Sequence, residues 1–119
     1  MDRLVNFYKM LSDETRLRMT VLLYHQKLCV CEICGILDLP QPKVSKHLAK
    51  LRDMGFVKDE RKEQFIIYSL KLEDKALIDT VGGIINNLEN YPDLQRDVER
   101  IAVKGAFLEQ CKRGNLARE

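Results

Sequence analysis

Cys29, Cys31 and Cys34 stand within six residues of one another in Leu28-Cys-Val-Cys-Glu-Ile-Cys, three of the chain's four cysteines. Thiolates are soft donors, and three of them with no histidine in the stretch favour a thiophilic ion over one that prefers oxygen or four mixed ligands. Spacing limits how they could act together. On a regular helix Cys31 and Cys34 lie about 60° apart around the axis, whereas Cys29 and Cys31 lie about 200° apart and face opposite sides. All three cannot bind one ion on an intact helix. If the segment before Cys31 is extended, two of them converge, and recruiting the third requires unwinding around Val30. A helix N-terminus at this point would lower the thiol pKa and enlarge the thiolate fraction that binds metal. Cys34 lies about 40° from the apolar row of its helix and also fits a core thiol. Cys29 and Cys31 are not explained by that row. Cys111 is read as a packing or surface residue, and Glu32 as solvated.

Seven residues beyond Cys34 begins Gln41-Pro-Lys-Val-Ser-Lys-His-Leu-Ala-Lys-Leu. Val44, Leu48 and Leu51 recur at helical steps and point to a core. Lys43, Lys46, His47 and Lys50 form a second row about 100° away. Between Gln41 and Lys62 there are seven basic residues against three acidic ones, a local charge of +4 in a chain whose total is +2. Such a localised basic footprint is that of a nucleic-acid binder. In helix-turn-helix proteins the first turns of the second helix enter the major groove, which places Gln41, Lys43, Ser45 and Lys46 there. Lysines mostly contact phosphate, while Gln41 and Ser45 can read base edges. His47 could touch DNA or pack, and Lys62 is a weaker candidate for a flanking phosphate.

The elements that must position these residues follow from periodicity. A first helix carries the stripe Leu4, Phe7, Tyr8 and Leu11 and ends near Ser12, whose hydroxyl could cap a second helix running to Tyr24 or His25 with Leu17, Val21 and Tyr24 inward. A short third helix spans about 31–37, with Val30, Ile33 and Leu37 as its buried row. Pro42 opens the fourth, and Gly55 ends it. Runs at 56–59 and 65–71, the second alternating Ile66, Tyr68 and Leu70, form a hairpin with the charged tip Glu60-Arg61-Lys62-Glu63. The expected fold is mainly α with a β-hairpin wing: a single winged helix-turn-helix domain over 1–119. Its helix-turn-helix spans about 29–54, its wing about 56–71, and its C-terminal association helices about 73–111.

Those last helices carry Leu77, Val81, Ile84, Ile85 and Leu88, then, after Pro92, Leu94, Val98, Ile101, Gly105 and Leu108. Their stripes either cover the domain's own core or join two copies, and the dimer is favoured because the central helices and hairpin already supply a core. Gly82-Gly83 inside a helix should cost about 2 kcal/mol, which close approach across a dimer axis would offset.

Composition is consistent with this picture. A chain of 119 residues, 45% hydrophobic and 32% charged, is one soluble domain's worth. Its apolar runs are too short to cross a bilayer, and no export signal opens it, so the cytoplasm is expected, where clustered cysteines serve as ligands or reactive thiols more often than as structural disulfides. A cysteine-dependent enzyme is a remote alternative, since neither of the two histidines is near the cluster and no glycine-rich loop surrounds a cysteine.

Several stretches together resemble the ArsR/SmtB family of metal-responsive repressors over residues 1 to about 90. These are Leu-Ser-Asp-Glu-Thr-Arg-Leu-Arg at 11–18, the cysteine stretch at 28–34, Gln-Pro-Lys-Val-Ser-Lys-His-Leu at 41–48, and Tyr68-Ser69-Leu70. The cysteine arrangement is similar to that of the arsenic-sensing ArsR branch. The resemblance implies a homodimeric winged-helix repressor on double-stranded operator DNA, released when As(III) or Sb(III) binds Cys29, Cys31 and Cys34 as inducer, with no catalytic cofactor and no membrane. A cadmium or lead sensor using Cys29 and Cys31, or a redox sensor in which Cys34 forms a disulfide, is the nearest alternative. The segment from Glu73 to Asn90 lacks histidine, which excludes there the histidine-rich interfacial zinc site of related sensors. The chain departs from the family pattern at the wing tip, where a glycine is usual near Glu63. Its final helix, from Asp93 onward, also goes beyond what the closest pattern needs.

Overall fold

The computed structural model describes residues 2–103, which form six α-helices and one three-stranded antiparallel sheet. In chain order these are α1 (Asp2–Leu11), α2 (Glu14–His25), β1 (Leu28–Cys29), α3 (Val30–Leu37), α4 (Gln41–Asp53), β2 (Val57–Lys62), β3 (Phe65–Leu70), α5 (Lys75–Ile85) and α6 (Pro92–Arg100). Short 3-10 turns occupy Leu88–Asn90 and Ile101–Val103. This is the winged helix-turn-helix expected from the sequence.

Helix α2 is the hub, packed against α1, α4, α5, α6 and β3. Its cap is Asp13 rather than Ser12: the Asp13 carboxylate accepts the Arg16 N–H at 3.0 Å, while the Ser12 hydroxyl donates to the Lys9 carbonyl at 2.7 Å. Only the residue immediately before the first helical one can reach the third amide, and that residue is Asp13. Burial works against its charge, but the Arg16 N–H, the Arg16 charge and His47 outweigh it, so its pKa falls below the ordinary value. Because α2 is enclosed on several sides, Met19, Val21 and Leu22 are all buried, whereas Tyr24, expected inward, is 38% exposed. On α1 the buried residues are Phe7 and Met10; Leu4 and Tyr8 face outward.

The two faces of α4 separate as expected. Val44, Leu48 and Leu51 have no exposed surface, and Lys43, Lys46 and Lys50 are exposed. The helix stops in a Schellman arrangement. Gly55, at φ 84°, donates its N–H to Arg52 O at 2.9 Å, and Phe56 donates to Leu51 O at 3.0 Å. A side chain at Gly55 would be strained by the left-handed backbone and would crowd Arg3, which lies over the Phe56 ring.

The sheet order is β1-β3-β2. Strand β1 is new relative to the sequence reading, pairing Leu28 with Tyr68 and Cys29 with Ile67. Two residues carry no periodicity, so only the partner strand reveals them. The wing also reaches further than expected. Its strands pair out to Lys62 and Phe65, leaving a tip of only Glu63 and Gln64. Glu63 sits at φ 57°, the left-handed backbone that a glycine would take without strain.

The C-terminal segment differs most from expectation. The helix predicted to continue to Leu88 stops at Ile85, and Leu88 joins Leu94 and Val21 in a separate small cluster. The apolar row of α6 is used within the chain: Leu94 packs beside Val21 of α2, and Ile101 and Val98 pack against the main core. Gly82 also has an internal reason, since a Cβ there would stand 3.1 Å from the Tyr24 hydroxyl. Gly105, Leu108 and Cys111 lie outside the described residues.

Candidate functional site

Cys29 occupies two elements at once. It is the last residue of β1 and, at φ −87° and ψ 166°, the N-cap of α3. The extended backbone that convergence of the thiols demanded is therefore present. Its N–H donates to Glu32 Oε1 at 2.9 Å, and its sulfur faces the Glu32 backbone N–H, completing a capping box in which a thiol stands where serine or threonine is usual. Glu32 is only 6% exposed, so the solvated reading is corrected: its carboxylate turns inward because the orphan amide of Cys29 needs an acceptor.

Burial pushes the Cys29 thiol up to about 12, with the neighbouring Glu32 charge adding to it and the Glu32 N–H opposing it. This reverses the expected lowering. A helix N-terminus favours thiolate, but a site with no exposed surface removes the water that would solvate the charge, and desolvation wins.

The three sulfurs are not gathered. Cys29 and Cys31 share a small cluster with Phe65 and Ile67 on the outer side of β3, whereas Cys34 packs against the main core. Among the described residues no three His, Cys, Asp or Glu side chains stand close enough to hold a metal ion. The extended backbone at Cys29 brings it beside Cys31, although the two would face opposite sides of a regular helix, and Cys34 packs on the core instead.

The basic face of α4 is presented, and its first turn is preorganised. Gln41 Nε2 donates to Ser45 Oγ at 3.1 Å, fixing the two side chains suited to base edges. Lys62 is exposed at the end of β2. His47 turns the other way. Its Nδ1 lies 4.0 Å from Asp13 Oδ1, and its side chain is 17% exposed, so it faces the start of α2. Arg52, which sequence reasoning passed over, ties α4 to the wing through Asp59 at 3.1 Å. Glu32 was also missed, although its position three residues after a cap is a readable signal.

The profile described as "Bacterial regulatory protein, arsR family" matches residues 13–59, from the start of α2 to the first half of β2. The arsenic resistance transcriptional regulator ArsR1 of Pseudomonas putida is 40% identical over 100 residues, which cover 82% of this chain and 77% of that protein. A second regulator from the same organism, ArsR2, is 48% identical over 67 residues, 56% of this chain and 58% of that protein. Among solved structures, reduced HlyU from Vibrio cholerae superposes with a TM-score of 0.65 at 27% identity, covering 76% of this chain and 90% of that one.

Proposed function

The chain belongs to the ArsR family of bacterial regulatory proteins, a winged-helix transcriptional repressor and not an enzyme, and on that premise we propose that it holds operator DNA as a homodimer and releases it when As(III) or Sb(III) binds Cys29, Cys31 and Cys34. The observation that carries this reading is the position of Cys29: one sulfur is both a candidate ligand and the cap of the helix that leads into α4. A sulfur drawn to an ion loses its place opposite the Glu32 N–H, and the first turn of α3 then opens around Val30. Such a change acts on DNA only if the ion favours the opened state, since an ion binding both states equally shifts nothing.

The protonated state of Cys29 suits a hydroxide-bearing metalloid. When arsenous acid meets three thiols, three As–S bonds form, three As–O bonds break, and each thiol proton leaves with a hydroxide as water. No free thiolate is needed at the outset. Cys31 must enter this exchange reduced. Relatives named for arsenic resistance support the choice of ion. Exposed Leu4, Val5 and Tyr8 on α1 supply an apolar surface suited to a second copy. No helix among the described residues is long and apolar enough to cross a membrane.

The test is operator binding by fluorescence anisotropy, with reductant present, during titration with arsenite, antimonite, cadmium and an oxidant, repeated with each cysteine changed to serine. Arsenite and antimonite should release the wild type and fail to release Cys31→Ser. Release by cadmium alone, or arsenite release that survives Cys31→Ser, overturns the reading. Lys46→Ala should weaken operator binding and lower its salt slope by about 1.

A further inference from the structure

The C-terminal end of α3 is held by residues far away in sequence. Two of its last carbonyls, which no helical N–H can reach, are taken by arginines: Arg100 Nη1 of α6 donates to Ile36 O at 2.8 Å, and Arg18 Nη2 of α2 donates to Leu37 O at 3.3 Å. Asp97 of α6, with no exposed surface, grips Arg18 through two further hydrogen bonds, Nε to Oδ2 at 2.8 Å and Nη2 to Oδ1 at 2.9 Å. The Asp97 contact also raises the Arg18 pKa. Immediately beyond these carbonyls the chain turns through Asp38, at φ 56°, and reaches Pro40, whose carbonyl accepts the N–H groups of Lys43 and Val44 at the start of α4.

We propose that Arg18, Asp97 and Arg100 are positioning residues for operator binding, through which α6 fixes the end of α3 and hence the turn at 38–40 from which α4 departs. This rests on the reading of α4 as the DNA-contacting helix. None of the three faces the basic row. They act by holding two carbonyls in place, since a helix end whose last groups are tied by charge-assisted bonds cannot pivot without breaking them. The C-terminal helix thereby has a role within one chain.

The experiment compares operator and scrambled-sequence duplexes by anisotropy for the wild type, Arg100→Met, Arg100→Lys and Lys46→Ala. Methionine keeps the apolar stem and removes the donor; lysine restores one. Arg100→Met should bind operator about five- to tenfold more weakly, the net scale of one hydrogen bond, with affinity for scrambled DNA unchanged, and Arg100→Lys should recover most of the loss. Amide exchange in Arg100→Met should quicken at Asp38 and Leu39 but not in β2 or β3. Equal losses on both duplexes, no rescue by lysine, or exchange that quickens everywhere would overturn the proposal, making Arg100 either irrelevant to α4 or a general determinant of the fold. If Lys46→Ala leaves operator binding unchanged, the reading of α4 fails and the positioning role fails with it.

Discussion

The two ends of α3 are secured by opposite chemistry. At the N-terminal end a buried thiol and a buried carboxylate exchange bonds with each other's backbone, all within four residues. At the C-terminal end two arginines reach in from α2 and α6, 19 and 64 residues away from the carbonyls they hold. A soft ligand can compete for the sulfur at the first end, whereas it has no affinity for guanidinium or carbonyl groups at the second. An eight-residue helix held this way has one end capped by a sulfur and one tied by guanidinium groups. Under the proposed function, opening at Val30 would change α3 from its start while its exit toward α4 stays tied.

Substitutions at three positions test that contrast. The largest effect is expected from Asp97→Ala, which leaves the Arg18 guanidinium, 14% exposed, without its partner. Breaking such a pair should cost about 3 kcal/mol and lower the thermal midpoint by about 15 °C, read by calorimetry. A change under about 1 kcal/mol would show that the anchored end is no firmer than the other. Glu32→Ala comes next. It strips the acceptor from the Cys29 N–H and should cost about 1.5 kcal/mol in urea unfolding, whereas Glu32→Gln, which keeps an amide oxygen there, should lose less than half as much. Equal losses would mean that packing, not capping, holds the N-terminal end. The smallest effect is expected at Asp38, a non-glycine residue in left-handed backbone. Asp38→Gly should gain about 0.5 kcal/mol in the same measurement, and a loss would show that the aspartate side chain contributes to the turn.

How much of this was legible in the sequence depends on the distance between partners. The two faces of α4, its stop at Gly55 and the hairpin after it are local patterns, and the structure repeats them because helical and strand periodicity are properties of neighbouring residues. The thiol geometry was not legible in this way, because Cys29 lies in extended backbone before α3 and shares a cluster with Cys31, while Cys34 packs on the core. Nor was burial of Cys29, because it depends on β1 pairing with β3 almost forty positions on, and with it went the expected direction of the thiol pKa. The fate of α6 was likewise hidden. An apolar row at Leu94, Val98 and Ile101 fits a second copy as well as it fits α2, and sequence spacing does not distinguish them.

By itself, then, the sequence determined the helices, the wing hairpin and the presented basic row. Each follows from short-range geometry of the backbone. Only the tertiary structure decided that Cys29 caps α3 from a buried strand, that Glu32 turns inward to answer it, that His47 faces Asp13, and that Arg18, Asp97 and Arg100 tie the last helix to the turn before α4. Those contacts join segments that carry no mark of one another in the chain, and desolvation and hydrogen-bond satisfaction are fixed by what finally surrounds a group, not by its neighbours in sequence.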